Sequence, residues 1–189
     1  QCWHRVPGGT AVAAVGLARA LQARPDVDVT GITARHVSGP PHYLDPGVPL
    51  AASHLPRAVL YEAWHRTGRP RVDRIAGRPD LVHATGGAVP ATTQPLVATI
   101  HDLAWRHHPQ AATRRGRRLF EAWLADSRRA DRVVCPSEAT RRHLADAGFP
   151  DDRVTVVPLG ADPVPPAPDR ARRLRDDHGL DGPVALWVG

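Results

Sequence analysis

The chain has 189 residues, 42% hydrophobic and 23% charged, which suits one globular domain with a sizeable core and an appended piece. Two cysteines, Cys2 and Cys135, form neither a disulfide framework nor a metal-ligand spacing, and no run of about twenty apolar residues would span a membrane. The net charge of +6 rests on 25 basic residues, all arginine; aromatics are only 5% and are not interleaved with them, which argues against a nucleic-acid binder and leaves room for a weak attraction to an anionic bilayer.

Methionine is absent, and the last residues form the apolar run PVALWVG. Both features lead us to expect a piece of a longer protein. No secretory signal is visible, and the cysteine usage favours a reducing, cytoplasmic setting.

Taken in order, Gln1 to Trp3 read as the end of a strand that leads into the loop Pro7-Gly8-Gly9-Thr10. A helix is expected from there to about Ala23, with Thr10 as its N-cap and Val12, Val15, Leu17 and Leu21 on its apolar side. Glycines before a helix N-terminus let backbone N–H groups approach an anionic ligand, although Gly-Gly-Thr is neither GxGxxG nor a P-loop. Val27 to Thr33 reads as the next strand, and Arg35 to Leu50 as a Pro- and Gly-rich loop. Leu55 to Thr67 reads as a helix with Val59, Leu60, Ala63 and Trp64 towards the core. Arg71 to Gly77 is a connector to the strand Leu81 to Ala84, whose carboxyl end carries Thr85-Gly86-Gly87.

The strand Leu96 to Ile100 then delivers His101 and Asp102 directly at its carboxyl end. A long helix follows at about Arg114 to Ala130, its apolar side formed by Leu119, Phe120, Trp123, Leu124 and Ser127. Arginines at 114, 115, 117 and 118 crowd its first turn against the helix dipole. Val133 to Cys135 is a short buried strand that ends at Pro136-Ser137-Glu138, with Ser137 as N-cap of a helix to Ala147 and Gly148 closing it. Arg153 to Val157 is a further strand, running into Pro158-Leu159-Gly160. PVPPAPD has linker composition, a short basic helix covers about Arg170 to His178, and Val184 to Val188 is a last strand.

Strands alternating with helices give an α/β fold, a Rossmann-like doubly wound parallel sheet with helices on both faces. Right-handed crossovers carry the strand carboxyl ends to one edge, where ligands sit in such folds. The polar elements all fall there: Gly8, Gly9 and Thr10, Thr85 and Gly86, His101 and Asp102, Ser137, and Gly160. Read from the residues alone, Asp102 is equally a turn cap and a ligand contact, and His83 is a strand-end residue beside the cleft. His101, His107 and His108 with Asp102 match no metal-ligand spacing. A dinucleotide-binding domain would want GxGxxG and an acid at the end of its second strand, and neither is present.

The ordered series PGGT, PDLVHATGGAVP, VATIHDLAWRHHP and ADRVVCPSEATRRHLADAGFPDDRVTVVPLGAD resembles the N-terminal domain of a retaining family-4 glycosyltransferase with the GT-B fold. The resemblance implies a nucleotide-sugar donor, with a lean to GDP-mannose over a UDP-hexose because the series is most similar to mannosyltransferase-type members. It implies transfer with retention and without an obligatory metal or other cofactor. Residues 1–163 would be the acceptor-side domain and residues 164–189 the linker, a short helix and the first strand of a donor domain. Most of the donor site would lie in that second domain, so these residues alone are not expected to turn over. By the same resemblance, Gly8 and Gly9 approach the donor phosphates and the acceptor, and His101 faces the transferred sugar. Asp102 buttresses His101 or touches the acceptor, Ser137 lies near the cleft, and Gly160 forms the turn before the hinge.

Overall fold

A computed structural model describes residues 8–161 and 167–185. The chain divides into two compact units, Gln1–Leu159 and Gly160–Gly189. In the first unit the elements run α1 (Gly9–Gln22), β1 (Gly31–Thr33), β2 (Leu50–Ala52), α2 (Arg57–Thr67), α3 (Asp73–Ala76), β3 (Val82–Ala84), β4 (Leu96–Thr99), α4 (Ala104–His107), α5 (Arg114–Ser127), β5 (Arg132–Cys135), α6 (Glu138–Asp146) and β6 (Val154–Val156). The second unit contains α7 (Pro168–Asp177). The expected strand at Gln1–Trp3, most of the Pro-rich linker, and the end of the expected strand at 184–188 lie outside the described residues.

All strand pairs are parallel, as alternation with helices requires. They form a four-stranded sheet in the order β3-β4-β5-β6 and a separate pair, β1-β2. The α/β class therefore stands, and among the described residues the strands fall into these two parallel groups. β2 falls at the end of the stretch read as loop; three residues with Gly and Pro on the approach carry no period of their own, and the pairing Gly31↔Leu50 is what makes them a strand.

The core follows from register. Ala84, Ala98, Val133 and Val154 stand side by side across the four strands, and all are buried. The alternate residues, His83, Val97, Thr99 and Val134, are half-buried. Side chains one apart on a strand face opposite ways, so one row is sealed while the other stays reachable. Leu60 and Trp64 of α2, Leu124 of α5 and Leu144 of α6 close the apolar cluster with these strands. Three residues expected on apolar helix faces are instead out: Val12 is 60% exposed, Val59 51% and Leu119 42%. Each borders the apolar arc of its helix, where Ala11 and Val15, Leu60 and Trp64, or Phe120 and Leu124 already fill the space beneath.

Helix ends explain the boundaries. Ser137 Oγ accepts the Thr140 amide at 3.2 Å and caps α6, and Gly148 closes that helix with φ +79°. Thr113 Oγ1 accepts the Gly116 amide at 3.0 Å and caps α5. Thr10 is not a cap. Helix α1 begins one residue earlier, with Gly8 extended and its carbonyl accepting the Ala11 amide at 2.9 Å, so Thr10 lies inside the first turn.

Candidate functional site

Two strand ends meet the first turn of α1, and a third joins the elbow from the side. Thr85 and Gly86 follow β3, His101 and Asp102 follow β4 after Ile100, and Ser137 follows β5 after Pro136. Gly86 is the packing centre of this group. A Cβ placed on it would sit 2.6 Å from Thr10 Cγ2 and 3.2 Å from His101 Cδ2, with φ at +147°, so glycine alone fits there. Thr10, Gly86 and His101 are thus in direct contact.

His101 is held at both ends. Its Nε2–H donates to the Thr85 carbonyl at 3.1 Å, which fixes the ring and leaves Nδ1 as its other polar atom. Its own carbonyl accepts from Thr140 Oγ1 at 3.3 Å, and Thr140 Oγ1 lies 3.1 Å from Ser137 Oγ. Ser137 therefore reaches the elbow through Thr140, a residue that sequence reasoning did not single out. An S-x-x-T spacing at a helix start was the available signal. Asp102 Oδ1 accepts the Ala104 amide at 2.9 Å, so the aspartate performs the turn-capping role at the start of α4. One step back, His83 Nε2 and Thr99 Oγ1 share a 2.8 Å hydrogen bond, and burial pushes the His83 imidazole below its ordinary pKa.

Beside His101 opens a cavity of about 550 Å³, bounded by the start of α1, the β4 elbow and α5. Gly8, Thr10, His101 and Asp102 line one side, and Trp105, Phe120 and Trp123 line another. The three rings follow one another at centroid distances of 5.9 and 5.8 Å. Gly87, at φ +76°, lets Trp123 approach; a Cβ there would lie 3.0 Å from the indole. Trp123 and Phe120 were read only as the apolar side of a helix, and their place in a cavity wall depends on the arrival of Trp105 from another segment.

Thr85, Gly86, His101 and Ser137 are thus connected by contact or hydrogen bond, and Gly8, Thr10, His101 and Asp102 border one cavity. Gly9 opens α1, with open space around its Cα. Gly160 is the first residue of the second unit, and an added Cβ there would meet nothing within 4 Å. Of the other histidines after the elbow, His107 lies against His143, the rings tilted by 38° with centroids 4.0 Å apart. Among the described residues no three His, Cys, Asp or Glu side chains gather to hold a metal ion, and no helix is long and apolar enough to cross a membrane.

The family model described as Glycosyltransferase Family 4 matches residues 7–164. Among solved structures, the chain is similar to Anabaena Alr3699/HepE in complex with UDP, with UDP-glucose, and with UDP and glucose, at TM-scores of 0.51, 0.54 and 0.53. Each is 17% identical, and the alignment covers 94% of this chain and 48% of that one. The chain thus spans about half the length of the structures it matches, and the likeness is one of fold. A comparison with curated proteins finds no match.

Proposed function

Because the chain belongs to glycosyltransferase family 4, we propose that it is the acceptor-side half of an enzyme that moves a hexose from a nucleotide-sugar with retention of configuration. The family match over residues 7–164, placed on a strand edge where Thr10, Gly86 and His101 touch, is the observation that carries this reading. The uridine ligands of the fold relatives are consistent with a sugar nucleotide, and the donor proposed is of GDP-mannose or UDP-hexose type. On this reading residues 1–163 are the acceptor domain and 164–189 lead into a donor domain. Turnover then needs that second domain, and the setting is cytoplasmic.

In retaining transfer of this kind the leaving phosphate helps to deprotonate the acceptor, and the protein contributes position and charge stabilisation. Because the phosphate takes the acceptor proton, His101 is assigned a positioning role rather than that of the base. Its Nε2–H bond to the Thr85 carbonyl fixes the ring, and on this reading it faces the transferred sugar. Backbone at Gly8 and Gly9 offers N–H groups at the start of α1 to the donor phosphates. Asp102, Thr85, Gly86 and Ser137 shape the elbow around it, and Gly160 would form the turn before the hinge.

The test is transfer from UDP- and GDP-hexoses by the full-length enzyme, with the anomeric configuration of the product read by NMR. The His101→Ala variant should lose about a hundredfold in kcat while keeping its melting temperature. An inverted product would remove the retaining mechanism. Activity near wild type in the variant would make the elbow purely structural.

A further inference from the structure

The cavity beside His101 carries information about the acceptor, and this inference rests on the glycosyltransferase reading just given. About 550 Å³ is enough for the body of a drug-sized molecule. Its wall is mainly apolar, dominated by Trp105, Phe120 and Trp123. Most of its polar side chains are engaged within the protein. Thr99 Oγ1 is bonded to His83, Ser127 Oγ donates to the Trp123 carbonyl at 2.8 Å, His101 Nε2 is bonded to Thr85, and Asp102 Oδ1 is bonded to Ala104. What remains for a ligand among the described side chains is the Thr10 hydroxyl, His101 Nδ1 and the second Asp102 oxygen on the α1 and elbow side, and the two indole N–H groups of Trp105 and Trp123 on the wall itself.

A carbohydrate body placed against this wall would bring many hydroxyls to a surface with only two indole N–H donors and no acceptor side chain, and each hydroxyl buried without a partner costs on the order of 1–3 kcal/mol. No arginine lines the cavity, so an anionic head would find no counter-charge inside it. The complementary molecule has a flat, uncharged, apolar body that lies on the aromatic wall and one hydroxyl at its polar end. The geometry points to an acceptor of this class: a neutral aromatic or polycyclic alcohol, seated on Trp105, Phe120 and Trp123 with its hydroxyl directed at the His101 and Thr10 side.

Binding and transfer test this separately. 2-Naphthol, titrated into the full-length enzyme, should quench tryptophan emission saturably, and methyl glucoside should not. Trp105→Ala should weaken naphthol binding at least about tenfold, as expected for loss of a large aromatic contact. Ala112→Glu, a half-buried position on the cavity rim, should do the same without disturbing the core. Unchanged naphthol affinity in both variants overturns the proposal. So does transfer from a sugar nucleotide to saccharide acceptors with none to naphthol, an outcome that leaves the glycosyltransferase reading intact. Naphthol binding lost in both variants, with no sugar nucleotide consumed in the presence of any acceptor, would support the apolar-alcohol site and remove the glycosyltransferase reading instead.

Discussion

Gly86 lies against Thr10 so closely that a single added methyl would come within 2.6 Å of Thr10 Cγ2. The contact joins the carboxyl end of β3 to the first turn of α1, and the His101 ring completes the triangle at 3.2 Å. Gly86→Ala should therefore cost about 1–3 kcal/mol, from the strained φ and the overpacking together, and should lower activity by displacing His101. Thr10→Ser deletes the methyl in the way. The Thr10→Ser/Gly86→Ala pair should recover part of the loss in a thermal melt. Additive losses would mean that the methyl clash is not the cause.

Asp102 separates two roles by chemistry. Asparagine keeps an oxygen for the Ala104 amide, and alanine does not. We expect Asp102→Ala to lose about 1 kcal/mol of stability, as for other lost caps, and Asp102→Asn to keep activity within about threefold. A hundredfold loss in Asp102→Asn at unchanged stability would show that the negative charge itself serves the reaction.

The pH dependence of stability should carry a signature of His83. Burial holds its folded pKa below the ordinary 6.5 that it regains on unfolding. Above about pH 6.5 both states are neutral, and its contribution is complete. As pH falls through 6.5 the unfolded chain takes up a proton that the folded chain refuses, so stability is lost down to the folded pKa. His36, also lowered chiefly by burial, acts in the same sense. The informative quantity is thus the difference between wild type and His83→Gln in urea melts from pH 8 to pH 5. Parallel curves would rule out His83 as a contributor.

Ser137→Ala should remove the cap of α6 and cost about 1 kcal/mol. It also frees the Thr140 hydroxyl, which bonds the His101 carbonyl. A double-mutant cycle between Ser137→Ala and Thr140→Val should show coupling of about 0.5–3 kcal/mol, whereas strict additivity would mean the two hydroxyls act independently.

What could be seen in the sequence was what is decided locally. The α6 start at Ser137-Glu138 and its end at Gly148 rest on side-chain and backbone preferences a few residues apart, and both are present as expected. The β4 run into His101 announces itself by an apolar stretch meeting a polar pair. β2 did not, because its strand character comes from pairing with β1 across a loop. Thr113 caps its helix and Thr10 does not, although each stands just before a helical run. The difference lies in Gly8 and Gly9, which let α1 begin before the threonine. The aromatic wall was the least legible part. Trp105, Phe120 and Trp123 each satisfy a simpler local explanation, and only the packing of α4 on α5 shows that they share a surface.

The two-ended grip on His101 has a thermodynamic consequence. Thr85 holds the ring, and Thr140 holds the carbonyl behind it. A free histidine at a cleft must surrender rotamer freedom when a ligand arrives, at about 0.5–1.5 kcal/mol per immobilised side chain. Here that entropy is given up during folding, so association with a ligand in the adjoining cavity need not bear it again. Removing either grip should therefore weaken binding through a more unfavourable entropy, with little change in enthalpy from the His101 contact itself.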